Sequence, residues 1–132
     1  MRAEPKSLLS FDMPDTDLAT WAPDGEFGIL VTAFIGTSDS EASDAFEFTL
    51  CTPNWFADQM RGHLIKSGEH IMFMTRYDHA ALVAYVNELI RTCDADTWEE
   101  LGLQLCHLGQ WEFEYRVSRR RHTPRAFDRR TF

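Results

Sequence analysis

The apolar positions of this chain change period several times, and each change marks an element. Residues 7–13 (SLLSFDM) are a short apolar run stopped at Pro14-Asp15, which predicts a first strand. The stretch 14–25, rich in Pro, Asp and Thr and closing on Pro23-Asp24-Gly25, reads as a loop. Phe27 to Ile35 is apolar on both parities and rich in β-branched and aromatic residues, so it predicts a strand in the middle of a sheet, buried on both faces. Small and acidic residues from Gly36 to Ser43 then give a turn. From Ala45 to Cys51 the pattern alternates, with Phe46, Phe48 and Leu50 inward and Glu47 and Thr49 outward, and the two strands predict an antiparallel hairpin.

Beyond Cys51 the period becomes helical. Thr52 at an N-cap and Pro53 at the first helical position start a helix with Phe56, Met60, His63 and Leu64 on one side, ended by Ser67-Gly68. His70 to Arg76 predicts a fourth strand. Asp78 caps a second helix whose apolar face is Leu82, Tyr85, Val86, Leu89 and Ile90, leaving Asn87, Glu88 and Arg91 to solvent. Thr97-Trp98-Glu99-Glu100 is a capping box for a third helix, with Trp98, Leu101, Leu105 and Leu108 as its stripe and Gly109 as its stop. Trp111 to Tyr115 alternates again, predicting a strand with Trp111, Phe113 and Tyr115 on one face and Glu112 and Glu114 on the other. The order β-β-β-α-β-α-α-β predicts an α+β fold, a mainly antiparallel sheet of about four to five strands with about three helices on one face.

At 132 residues the chain is the size of one domain with its own core. Charge divides it. Residues 1–114 hold 6 basic and 20 acidic side chains, a net of −14, whereas residues 115–132 hold seven Arg and one Asp, a net of +6. We therefore divide the chain into a domain over residues 1–115 and a basic tail over 116–132. The tail reads first as a solvated terminus or one that folds back on the acidic body, and second as a nucleic-acid contact, which the acidic body opposes. Three widely spaced cysteines, Cys51, Cys93 and Cys106, with no C-x-x-C, fit reduced thiols of a cytoplasmic protein better than a disulfide framework or a zinc knuckle. The N-terminus lacks a signal-peptide core, and the longest apolar run is far short of the roughly 20 residues that span a bilayer.

No catalytic motif emerges. His63, His70, His79, His107 and the cysteines show no metal-ligand spacing, and no phosphate-cradling loop or nucleophile elbow occurs. No cofactor, metal or catalytic residue is expected. The enzyme alternative needs a spatially assembled pocket in which Cys51 or His107 meets a carboxylate; an adaptor using the basic tail is the other.

Two stretches together carry a resemblance. FIGTSDSEASDAFEFTLCTPNWFADQM (Phe34 to Met60) and TWEELGLQLCHLGQWEFEY (Thr97 to Tyr115) resemble the Imm8 family of bacterial polymorphic-toxin immunity proteins, over roughly Leu8 to Tyr115. The matching residues are Cys51, Thr52, Pro53, Trp55, Trp98, Glu99, Trp111, Glu112, Phe113 and Glu114. Where the family pattern continues the second motif with Asp-Tyr, this chain has Glu114 followed by Tyr115-Arg116. The resemblance implies a small cytoplasmic protein that binds and blocks the C-terminal domain of a cognate toxin. Most matching residues have structural work to do: a helix start, large apolar bodies and a small buried thiol. An acidic body suits an inhibitor of a basic, nuclease-like active site, since opposite fields steer encounter. The toxin-binding candidates are carboxylates that the fold does not use: Asp39, Glu41, Asp44, Glu47, Asp94, Asp96, Glu112 and Glu114.

Overall fold

Two strands carry the sheet. In the computed structural model, which describes residues 1–114, β2 (Gly28–Thr37) and β3 (Asp44–Cys51) pair antiparallel without interruption, from Gly28 opposite Cys51 to Ile35 opposite Asp44. Partners in a register share a face, so Val31 lies beside Phe48 and Ala33 beside Phe46, all four buried. The hairpin is as the alternation predicts. The second face of β2 is less covered than expected: Trp55 lies over Gly28 and Thr32 is buried, but Leu30 is 39% exposed.

The face bearing Phe46, Phe48 and Leu50 receives two helices. From α2 (His79–Arg91) come Leu82, Val86 and Ile90, and from α3 (Trp98–Leu105) come Leu101 and Leu105, all in one core cluster. Both caps form as the residues predict. Asp78 accepts from the Ala81 N–H at 3.1 Å, and Thr97 Oγ1 accepts from the Glu100 N–H at 3.2 Å. The buried stripe of α2 is narrower than expected, because Tyr85 sits ~60° round the helix from Leu82 and is 56% exposed.

The outer strands depart from the sequence reading. The first strand is β1, Ala3–Leu9, not residues 7–13, and pairs antiparallel with β2 through a register shift between Pro5 and Ser7. A proline is tolerated there because the strand is an edge and the irregularity removes the need for its N–H. Past Leu9, side chains replace the ladder: Ser10 Oγ donates to the Leu30 carbonyl at 2.6 Å and the Asp12 carboxylate accepts the Leu30 N–H at 2.8 Å.

The helix started by Thr52-Pro53 is α1 (Pro53–Gln59), and it stops early. Gly62 turns the chain with φ +79, so His63 and Leu64 fall in a loop where Leu64 is 95% exposed. The Thr52 hydroxyl does not cap the helix. It donates to the Glu26 carboxylate at 2.5 Å and accepts the Phe27 N–H at 3.3 Å, tying the helix start to the entry of β2. The next strand, β4 (Ile71–Phe73), is shorter than residues 70–76 and runs parallel to β3, so β3, α1 and β4 form a crossover.

β5 (Gln110–Trp111) joins the start of β3, Phe46 opposite Trp111, and spans two residues where an alternating run to Tyr115 was expected. Glu112 ends it by folding back on one residue: its N–H donates to the Ala45 carbonyl at 3.2 Å and its carboxylate accepts the Ala45 N–H at 2.9 Å. Tyr115 and the basic tail lie outside the described residues. Gly109 is not the stop of α3, which ends at Leu105 with Cys106 as its C-cap. A Cβ there would stand 2.6 Å from the Glu47 carbonyl oxygen, so glycine lets the chain press against β3. Gly109→Ala is expected to lower stability by about 1–3 kcal/mol, read as the urea midpoint; an unchanged midpoint contradicts a tight contact. Among the described residues no helix is long and apolar enough to cross a membrane.

Candidate functional site

At the start of β3 the chain gathers three residues far apart in sequence. Asp44 is half-buried, and its Oδ2 accepts two indole N–H bonds, from Trp98 at 2.7 Å and from Trp111 at 3.0 Å. Buried indoles need an acceptor, and one carboxylate serves both, fastening the first turn of α3 to β5. Trp111 stacks on Phe46 with centroids 5.9 Å apart and planes 7° apart, and lies over Gly102, where a Cβ would come within 2.5 Å of the ring. On the outer side Phe113 meets Trp111 edge to face at 6.2 Å.

Around this joint opens a cleft of about 450 Å³ between the β2–β3 turn and α3, lined by Trp98, Trp111, Phe113, Asp44, Glu99 and small residues of the turn. Among the described residues two carboxylates and three aromatic rings line it, and no Lys or Arg does. Among the described residues Lys6 lies near it, next to Gly36, and its Nζ is held by Glu4 at 2.7 Å.

The expected contact carboxylates separate on this surface. Asp39 and Glu41 are exposed in the turn that forms one lip of the cleft, and Asp44 lies in its wall. Glu112 adjoins it, bonded to Ala45. Asp44 and Glu112 are thus used by the fold, which sequence separations of 54 and 67 residues conceal. Glu114 lies near enough to Cys106 to act on its thiol, and Glu47 is exposed along β3. Asp94 and Asp96 stand apart on the α2–α3 link, Asp94 facing the N-terminal ammonium at 3.5 Å. The other motif residues, Cys51, Thr52, Pro53 and Trp55, sit at the opposite end of β3, roughly 20 Å away by strand rise.

Cys51 is fully buried, and burial pushes its thiol up, as it does that of Cys93. Burial, reinforced by the Glu114 charge, pushes Cys106 up to about 11, and burial with Asp17 and Asp78 pushes Tyr77 up to about 12. A larger cleft of about 680 Å³ between β4 and α2 contains His70, His107 and Asp78, but Asp78 caps α2 and His70 Nε2 donates to the Cys106 carbonyl at 2.9 Å. Among the described residues no group of three His, Cys, Asp or Glu side chains is placed to hold a metal ion.

These thiols and the Tyr77 phenol set a pH dependence. Each has a folded pKa above its unfolded value, so the stability held by the neutral form is complete below about pH 9 and is lost as pH rises toward 11 for Cys106 and 12 for Tyr77. Urea midpoints are expected to fall between pH 9 and 10.5; a rise over that window contradicts the buried neutral thiols.

Neither curated proteins nor solved structures provide a match to this chain. A family does: the model of Immunity protein 8 matches residues 6–115, taking in both ends of β3, all three helices and the cleft. The chain belongs to the Immunity protein 8 (Imm8) family.

Proposed function

We propose that this protein is the cytoplasmic antidote to a bacterial polymorphic toxin, acting by binding the toxin's C-terminal domain and occluding its active site rather than by catalysis. Membership of an immunity family implies a toxin partner. The observation that carries the rest is charge: residues 1–114 hold 20 carboxylates against 6 basic side chains, a net of −14, and the whole chain stays at −8. Such a body attracts a basic partner and speeds encounter, as covering a nuclease-like active site requires. Asp39, Glu41, Asp44 and Glu112 lie along or beside the cleft and form the leading docking face; Glu47, Asp94, Asp96 and Glu114 extend the acidic surface.

Titrating the purified toxin domain with this protein tests the reading. Activity is expected to fall linearly to zero at one equivalent, with a 1:1 complex that weakens as salt is raised. A complex in which the toxin stays active contradicts occlusion.

A further inference from the structure

We infer that the cleft beside Asp44 receives a cationic side chain, an arginine or lysine, presented by the toxin. This deepens the proposed function and rests on it. The cleft is large enough, at about 450 Å³, for a long side chain and part of the loop that bears it. The half-buried Trp98 and the 36% exposed Phe113 flank it with aromatic rings, which attract cations through their quadrupoles, and Trp111, itself covered by Phe46 and α3, closes it from within. Among the described residues its charged groups are Asp44 and Glu99, no described Lys or Arg lines it, and the nearby Lys6 is held by Glu4 at 2.7 Å. Asp44 is also held in place before any partner arrives. Both indoles bind its Oδ2, and Oδ1 accepts no hydrogen bond from a described residue. A guanidinium, planar and with paired N–H donors, suits a carboxylate between aromatic walls better than an ammonium does.

The purely structural account of Asp44 makes a different prediction. Two indole N–H groups need an acceptor oxygen, and an amide supplies one as well as a carboxylate does. Asp44→Asn therefore keeps the joint and removes the charge. On the inference, Asp44→Asn retains the wild-type urea midpoint and binds the toxin domain at least tenfold more weakly, about 1.4 kcal/mol. Glu99→Gln, at an exposed position, guards against a folding defect in the first variant and is expected to weaken binding in the same sense. Substituting the toxin's interfacial Arg and Lys residues by Ala, one at a time, should find one whose effect vanishes in the Asp44→Asn background.

If wild type binds and both variants bind equally well, the cleft inference falls and the immunity reading stands. If wild type does not bind the toxin, both fall. If the Asp44→Asn penalty disappears on deleting residues 116–132, the cation comes from this chain's own arginines and the inference falls.

Discussion

Replacing Trp111 by alanine is expected to lower the unfolding free energy by about 3–5 kcal/mol, the range for truncating a buried aromatic. The side chain is 3% exposed, stacks on Phe46 and donates to Asp44 at 3.0 Å. Because Gly102 has no Cβ to fill the space, removing the indole leaves a void against α3 and frees half of the Asp44 joint. Domains of this size hold only about 5–15 kcal/mol in total, so a large part of the molecules should unfold under mild urea. Phe113→Ala, on the same wall but 36% exposed, should lose only about 1 kcal/mol. Equal losses for the two would contradict the view that Trp111 is the keystone and Phe113 the cleft's outer wall.

The second large effect concerns rate. Reversing Asp39 and Glu41 to lysine changes the turn at the cleft's lip from acidic to basic without touching a buried group. The association rate with a basic toxin domain is expected to drop on the order of 10–100-fold at low salt, and the gap to close near 0.5 M salt, where screening acts within a few ångströms. Reversing Asp15 and Asp24, exposed on the loop before β2, changes the net charge equally. A smaller effect there places the docking face at the turn, whereas an equal effect assigns the steering to the body as a whole. Stopped-flow mixing separates the two.

The interior of the fold was legible wherever the signal is local. Phe46, Phe48 and Leu50 declare β3 by alternation, and Asp78 and Thr97 declare helix starts by side chains that bond within their own first turn. What escaped depends on distant partners. The parallel pairing of β4 needs α1 as a crossover and leaves no mark in three residues. β1 begins at Ala3 because an edge strand forgives Pro5, and α1 ends before the Ser67-Gly68 stop read from the sequence because Gly62 turns the chain first. Gly109 looked like a helix cap and serves instead as a close approach to Glu47. The site was legible by composition and not by geometry. The turn carboxylates stand out in the sequence, but that Asp44 anchors Trp98 and Trp111 follows only from asking where two buried indole N–H groups find an acceptor.

That joint also accounts for the division of labour within the family motif. Trp98 and Trp111 build the wall through Asp44, while Thr52 and Trp55 secure the far end of β3 through Glu26 and Gly28. The first group borders an open cleft rimmed by exposed acids; the second is absorbed into packing.

The most direct test of the account is survival. The toxin domain proposed as the partner is expressed in a sensitive bacterium with and without this protein. Cells expressing both are expected to survive, and survival to persist when residues 116–132 are removed. Cell death despite soluble expression of both proteins would contradict it.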